Sequence, residues 1–140
     1  MPQDTIIRVR YAETDQMGVV YHANYFPWFE ESRTQYFEDL GVSYIQLERE
    51  GLFFPLLECS CRFRSPARYP DRVRVSVRLQ ALKGIKIIVG YQVRRETDDE
   101  LLAEGSTTHV FTDHSMRPVN LPRVRPELWQ LLQEQLPKQG

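Results

Sequence analysis

One long helix pattern, followed by a strand pattern from Gly51 to Phe111, constrains the fold of this chain more than any other feature. Asn24 stands where an N-cap is expected, because its short side chain can accept a hydrogen bond from an orphan helix amide. Gly41 follows Leu40 and can end the helix in the left-handed conformation. At about 100° per residue, one broad face of this helix collects apolar side chains: Tyr25, Phe26, Trp28, Phe29, Tyr36, Phe37 and Leu40.

The strand pattern contains one segment that alternates cleanly, over residues 73–81. Apolar side chains there face one way and arginine, serine and glutamine face the other, which predicts a half-buried strand. Turns at Lys83-Gly84 and at Thr97-Asp98-Asp99 separate it from two further strands, the last over 101–111. A first strand, a short helix and a C-terminal helix opened by Pro126 are predicted over residues 5–11, 43–50 and 122–136.

These elements predict an α+β fold with a five-stranded antiparallel sheet, one long helix and a C-terminal helix. A chain of 140 residues is close to the usual size of one domain, so residues 1–140 are expected to form one. One helix cannot cover both faces of such a sheet. We therefore expect an apolar face that is covered in a homo-oligomer, either a dimer or a tetramer.

Charge and composition exclude several classes of protein. The formal net charge is −1, from 18 basic and 19 acidic residues, so binding to nucleic acid or to a membrane surface by charge alone is not expected. The apolar runs are too short to span a bilayer, and the N-terminal Met-Pro-Gln-Asp does not resemble a signal peptide. Two cysteines do not make a disulfide framework, so a reducing cytoplasm is the expected location.

The segment before the long helix is the strongest candidate for chemistry. It places an acid, Asp15, in a loop shortly before Gly18, and the helix begins at residues 22–24. Helix N-termini present unpaired amides and the positive end of the helix dipole, which suits an oxyanion. A carboxylate close to such amides can act as a base or a nucleophile on a carbonyl. The alternative is that Asp15 only acts as a cap near the start of the helix.

This segment closely resembles the signature of hotdog-fold acyl-CoA thioesterases of the 4-hydroxybenzoyl-CoA thioesterase type, a group that includes the Tol–Pal-associated thioesterases. The run is Tyr11-Ala-Glu-Thr-Asp15-Gln-Met-Gly18-Val-Val-Tyr21-His22-Ala23-Asn24-Tyr25-Phe. Its pattern is D-x-x-G-x-V-Y/W-x-x-N-Y. The resemblance covers nearly the whole chain and includes Phe29-Glu-Glu-Ser-Arg33 on the helix.

The resemblance implies a hotdog fold, in which the sheet wraps around the long helix. It also implies that Asp15 is the catalytic carboxylate and that the backbone amide of His22 polarises the thioester carbonyl. Family members carry histidine or tyrosine at the position of His22, which indicates that its main chain matters more than its imidazole. The substrate-positioning set that follows from the resemblance comprises Gly18, Tyr21, His22, Ala23, Asn24 and Tyr25.

Basic residues in and after the strand pattern are candidates for binding the phosphates of CoA. Six arginines and one acid occur between Arg62 and Arg78, and arginine suits phosphate geometry. The candidates are Arg62, Arg64, Lys83 and Lys86. The alternative is that these side chains form the solvated face of the strands.

The remaining chemically notable residues favour structural roles. Cys59 and Cys61 have poor geometry for a disulfide and lack two further zinc ligands, so they are interpreted as core thiols. His109 and His114 are interpreted as structural or solvated. Arg33 falls within the apolar face of the helix, where it would pair with Glu30 one turn earlier or extend its head to water.

Together these features predict hydrolysis of an acyl-CoA thioester to free acid and CoA, without a metal or redox cofactor. Asp15 would activate water or attack the thioester directly. Two alternatives remain open. A hotdog hydratase or dehydratase would need an acid/base pair such as Glu30, Glu31 or His22, and a non-catalytic acyl-binding protein would not need Asp15.

Overall fold

The computed structural model describes residues 2–137, and in them a five-stranded antiparallel sheet accompanies four α-helices. The strands are Thr5–Arg8 (β1), Leu56–Phe63 (β2), Arg72–Lys83 (β3), Lys86–Arg95 (β4) and Leu101–Val110 (β5). The helices are Tyr25–Asp39 (α1), Tyr44–Arg49 (α2), Leu121–Val124 (α3) and Pro126–Glu134 (α4). Among these residues, no helix is both long enough and apolar enough to cross a membrane.

The sheet has the strand order β1-β3-β4-β5-β2, so β2 does not lie beside the strand that follows it in the chain. It pairs with β5 at one edge, while β1 pairs with β3 at the other. The sheet curves around α1, whose Phe29 ring stacks on that of Tyr91 in β4 at a centroid distance of 4.3 Å. This arrangement confirms the predicted α+β hotdog fold.

The predicted long helix is confirmed within one residue at each end. It buries most of the predicted apolar face, with Phe26 and Leu40 half-buried, and Gly41 follows it with φ of +88°. The N-cap prediction for Asn24 was wrong. A 3₁₀ turn, His22–Asn24, runs directly into α1, so Asn24 is already helical and its side chain caps no amide. Its Nδ2 instead donates to the carbonyl of Glu13 at 2.8 Å.

A glycine in β5 lets α1 lie close to the sheet. A Cβ atom at Gly105 would come within 2.8 Å of the Phe29 ring and would also contact the carbonyl oxygen of Ser60. Such a distance is shorter than van der Waals contact allows. The absence of a side chain at Gly105 of β5 therefore leaves the space in which the Phe29 ring stacks on Tyr91.

Three expectations about the ends and edges of elements are corrected. The first strand ends at Arg8, before a 3₁₀ turn at Tyr11–Glu13. The C-terminal helix divides at Arg125, with φ −142° and ψ 71°, because a residue before proline disfavours the helical conformation. Cys59 is exposed and Cys61 only half-buried, since β2 is an edge strand, so they are not both core thiols.

The face of the sheet that points away from α1 is polar, which corrects the expectation of an uncovered apolar face. Alternation along the strands places serine, arginine and glutamine outward while valine and leucine pack inward. A shallow cavity of about 430 Å³ lies over this face. Its polar lining comprises Ser60, Arg62, Ser76, Arg78, Gln80, Gln92, Glu104 and Ser106.

Candidate active site

A tight loop places Asp15 just before the entrance of α1. The amide of Asp15 donates to the carbonyl of Val19, and the amide of Gly18 donates to the carbonyl of Asp15, both at 2.9 Å. Gly18 has φ of +80°, a left-handed conformation that glycine adopts without steric cost. An isolated bridge between Thr14 and Val20 closes the base of the loop. The loop is therefore a defined turn with Asp15 at its start.

The carboxylate of Asp15 is half-buried and has one oxygen committed to the loop. Its Oδ1 accepts the amide of Met17 at 2.9 Å. Within residues 2–137, Oδ2 forms no hydrogen bond. Asp15 thus accepts an amide of its own loop and does not cap the start of α1. Its other oxygen has no hydrogen-bond partner among the described residues.

Two unpaired amides lie at the entrance of α1. The amides of His22 and Ala23 are the first two of the 3₁₀ turn His22–Asn24, and neither forms a hydrogen bond with any described residue. The flanking amides are occupied, since Tyr21 N donates to Glu13 O at 2.8 Å and Asn24 N donates to Tyr21 O at 2.9 Å. Free N–H groups at the positive end of a helix can donate to a developing oxyanion.

The side chains of the predicted positioning set divide into two groups. Tyr21 and His22 are exposed at the surface, with ring centroids 4.3 Å apart, and His22 lies edge-on to Phe63 at 6.5 Å. Tyr25 is buried against Phe63 and Trp28, and burial raises the pKa of its hydroxyl to about 12. Tyr25 therefore supports the entrance from within the core.

Sequence analysis missed a buried carboxylate, that of Glu13, which is 6% exposed. Its Oε2 accepts the indole N–H of Trp28 at 2.9 Å, and its Oε1 accepts the amide of Arg10 at 2.8 Å. The backbone carbonyl of the same residue binds Tyr21 and Asn24. A signal was present in Trp28, because a buried indole N–H normally requires an acceptor.

The predicted CoA-binding residues do not lie together in one chain. Arg62 and Arg64 flank Phe63, next to the loop, and Arg64 pairs with Glu104 at 2.5 Å. Lys83 and Lys86 pair with each other across the turn between β3 and β4. Phe63 pairs with Ala103 of β5, and Lys86 pairs with Val110 of the same strand. The two arginines and the two lysines are therefore separated by roughly 24 Å along the sheet, at the usual rise per residue.

A chain of polar side chains crosses the interior beneath α1, and it corrects the predicted pairing of Arg33. Arg33 Nη1 donates to the hydroxyl of Tyr91 at 2.9 Å, and that hydroxyl lies 2.6 Å from Thr107 Oγ1. No carboxylate of residues 2–137, Glu30 included, lies within ion-pair distance of Arg33. Glu30 is exposed, whereas Tyr91 extends from β4 toward the helix.

His109 ends this polar chain in the core. Its Nε2 lies 2.8 Å from Thr107 Oγ1, and its ring stacks on Phe54 at 4.3 Å. Burial lowers the pKa of the imidazole to about 4, and the nearby Arg33 charge acts in the same direction. These contacts agree with the structural interpretation of His109. His114 is exposed in a loop.

An antiparallel sheet wrapped around one helix, with an acidic loop and free amides at the helix entrance, defines the thioesterase class of the hotdog fold. The family model described as the thioesterase-like superfamily matches residues 9–136. The chain belongs to this family, which confirms the resemblance carried by the loop motif.

Individual proteins agree with this assignment over most of their length. The chain is 34% identical over 133 residues to YneP of Bacillus subtilis, which is named as a candidate acyl-CoA thioesterase. The aligned region covers 94% of this chain and 95% of YneP. It is 28% identical over 118 residues to the acyl-CoA thioester hydrolase YbgC of Escherichia coli O157:H7, covering 84% and 87%. The solved DHNA-CoA thioesterase of Staphylococcus aureus superposes with a TM-score of 0.89 at 32% identity, covering 94% and 89%.

Proposed function

We propose that this thioesterase hydrolyses an acyl-CoA thioester to a free acid and CoA. One observation carries the proposal: the Asp15 carboxylate, with a free oxygen, lies on the loop that leads into the unpaired amides of His22 and Ala23. A base or nucleophile beside an oxyanion site is what acyl transfer requires. The names of YneP, YbgC and the S. aureus enzyme support the same reaction.

In this mechanism the thioester oxygen accepts hydrogen bonds from the two amides as negative charge develops on it. In one route Asp15 takes a proton from water, whose oxygen bonds to the carbonyl carbon. In the other, Asp15 attacks that carbon and forms an anhydride, which water then hydrolyses. In both routes the carbon–sulfur bond breaks, the thiolate of CoA leaves and is protonated, and the acid is released.

In this proposal the nucleotide of CoA binds near arginine side chains at the end of the sheet where Phe63 contacts His22. Arg62 and Arg64 lie at this end of the sheet within one chain, because they are the sequence neighbours of Phe63, whose ring contacts His22. Their side chains point to the opposite face of the strand from the Phe63 ring, and Arg62 lines the cavity on that face. Lys83 and Lys86 lie at the other end of the sheet. They can contribute to the same nucleotide only from a second subunit, so their participation depends on assembly.

We propose a homo-oligomer, a dimer or a tetramer, in which β2 forms a contact between subunits. β2 is an edge strand with one unpaired side, and its Leu56, Leu57 and Phe63 are each about half exposed. An exposed edge with apolar side chains is a template for pairing with another chain.

We also propose that the protein is located in the cytoplasm.

The hydratase and acyl-binding alternatives have less support. Glu30 and Glu31 are exposed on α1, more than one helical turn beyond His22, so neither adjoins the free amides. A protein that only binds an acyl group has no use for a half-buried carboxylate with a free oxygen beside an oxyanion site.

Incubation with a panel of aliphatic and aromatic acyl-CoA thioesters distinguishes the three functions. A thiol-detecting reagent should report CoA release. A change in enoyl absorbance without thiol release would instead indicate hydration. Neither signal, together with measurable acyl-CoA binding by calorimetry, would indicate a binding protein and would contradict the proposal.

A further inference from the structure

Glu13 connects the two halves of the candidate site through one residue. Its carbonyl accepts the amide of Tyr21 and the side-chain amide of Asn24, each at 2.8 Å. Tyr21 immediately precedes the free amide of His22, and Glu13 itself lies two residues before Asp15. The Asp15 carboxylate and the His22 amide are therefore both positioned relative to the backbone of Glu13.

The side chain of Glu13 then fixes that unit to α1 and to Arg10, the residue that precedes its own 3₁₀ turn. The carboxylate receives the Trp28 indole N–H on one oxygen and the Arg10 amide on the other, and the Arg10 guanidinium lies 3.8 Å away. Trp28 is itself buried, with 1% of its surface exposed. The anchor is consequently a buried contact between the loop and the helix that carries the entrance.

These partners use both oxygens of the Glu13 side chain as acceptors. Both polar hydrogens that reach the side chain come from N–H donors, so both oxygens must accept. A glutamine of the same shape can accept on its oxygen but presents an NH₂ group to the remaining donor. The substitution Glu13→Gln therefore preserves volume while it removes one acceptor from a buried position.

We propose that Glu13 is a positioning residue, which sets the placement of the Asp15 carboxylate relative to the His22 amide. It does not contact the reacting atoms. This inference rests on the proposed thioesterase function for its kinetic test. The expected effect is on turnover, because Asp15 acts on the carbon and the His22 amide on the oxygen of the same thioester carbonyl.

The test compares Glu13→Gln with Glu38→Gln, which changes an exposed acid in the last turn of α1 that has no side-chain hydrogen bond in the described structure. For Glu13→Gln we expect kcat to fall by about tenfold to a hundredfold, the scale of a small misplacement. KM should stay within about twofold, because substrate binding groups are untouched. Amide hydrogen exchange at Tyr21 should accelerate at least about tenfold, since its acceptor is no longer held. Glu38→Gln should change none of these quantities.

Two further measurements separate positioning from general destabilisation. In an Asp15→Asn background, Glu13→Gln should cause no additional loss of residual turnover, because the group it positions is gone. Trp28→Phe, which removes one donor but leaves the carboxylate, should show the same kcat decrease and faster Tyr21 exchange in milder form. It replaces Glu13→Gln if that variant does not fold.

Unchanged kcat and unchanged Tyr21 exchange in folded Glu13→Gln would overturn the inference. A full kcat loss that persists in the Asp15→Asn background would overturn it as well. Failure of the parent protein to release CoA from any thioester would contradict the proposed function only. The exchange rate of Tyr21 alone would then decide the inference, with faster exchange supporting it and unchanged exchange overturning it.

Discussion

The guanidinium of Arg33 donates a hydrogen bond of 2.9 Å to the hydroxyl of Tyr91, which joins the middle of α1 to the centre of the sheet. The hydroxyl continues this contact to Thr107 at 2.6 Å. Arg33 is thus bound to a neutral hydroxyl that also bonds to Thr107. This second contact of Tyr91 determines how much the free energy of unfolding should fall when Arg33 is replaced.

Arg33→Met should lower the free energy of unfolding by about 1–2 kcal/mol, because one hydrogen bond is lost while Tyr91 keeps Thr107. Breaking a buried ion pair would cost more, about 3–5 kcal/mol. Urea denaturation measures the difference, and Arg49→Met, an exposed arginine on α2, is the control. A loss above about 3 kcal/mol would contradict the account of Arg33 as the donor of one hydrogen bond to a neutral partner.

His109 should make stability depend on pH below neutrality. Its pKa is about 4 in the folded protein and 6.5 as the ordinary value, so between these values the unfolded chain binds more protons. Stability should therefore be complete above pH 6.5 and decrease as pH falls toward 4, by up to about 3 kcal/mol. His109→Gln should flatten this part of the pH profile relative to the parent.

The exposed His114 provides the matched control for this measurement. Urea denaturation of His114→Gln at pH 7 and at pH 5 should give the parent's difference in the free energy of unfolding. An equal pH slope in His109→Gln and the parent would show that other groups account for the dependence.

Asp15→Asn should lower turnover by about a hundredfold to ten-thousandfold, because the amide cannot act as a base or form an anhydride. Its oxygen can still accept the amide of Met17, so thermal stability should change little. Asp113→Asn is a matched control, since Asp113 also accepts backbone amides in a loop, from Ser115 and Arg117. Steady-state CoA release by Asp15→Asn within about tenfold of the parent would exclude Asp15 from the mechanism.

His22→Pro should separate the backbone amide of His22 from its imidazole. Proline lacks the N–H, and the structure accommodates it because Tyr21 is extended, with φ −64° and ψ 134°, before the first residue of a 3₁₀ turn. Loss of one oxyanion donor should lower kcat by about a hundredfold to a thousandfold.

His22→Ala retains the amide and should keep kcat within about tenfold of the parent. The two variants are compared on one substrate, with circular dichroism to verify folding. Equal losses in His22→Ala and His22→Pro would assign the effect to the imidazole.

The protein should sediment as a dimer or a tetramer at micromolar concentration. Leu57→Lys places a charge on the exposed edge strand and should shift the population toward monomer, since lysine at an edge opposes pairing. Ile85→Lys changes a similarly exposed residue, 52% against 50%, in the turn between β3 and β4. It should leave sedimentation unchanged, and a parent protein that is entirely monomeric would contradict the prediction.

Local patterns in the sequence predicted the elements well, and contacts between distant segments were the part that they could not supply. Residues 73–81 and α1 follow from periodicity alone, and Gly41 and Gly18 follow from the conformations that their turns require. The partner of Arg33 depends on β4 lying beneath α1, which no local spacing reveals. The edge position of β2 likewise arises from its pairing with β5, the last strand of the chain.

The candidate site shows the same division. Asp15 and the helix entrance lie within one short motif, so their proximity is local and could be predicted. Glu13 belongs to that motif too, but its importance comes from its contact with Trp28 in the first turn of α1 and from its burial. A loop acid that faces water and one that anchors a helix look alike until the packing around them is known.

The glycine at position 105 acts as a spacer for the chemistry, although it has no atom that could take part in it. Phe29 lies one turn of α1 beyond the helix entrance, and it settles into the gap left by the missing side chain. The depth of this ring determines how deeply the whole helix sits, and hence how far its first amides stand above the strands. The position of the free amides at the start of α1 therefore depends on the absence of a single methyl group at Gly105, in the sheet on which the helix packs.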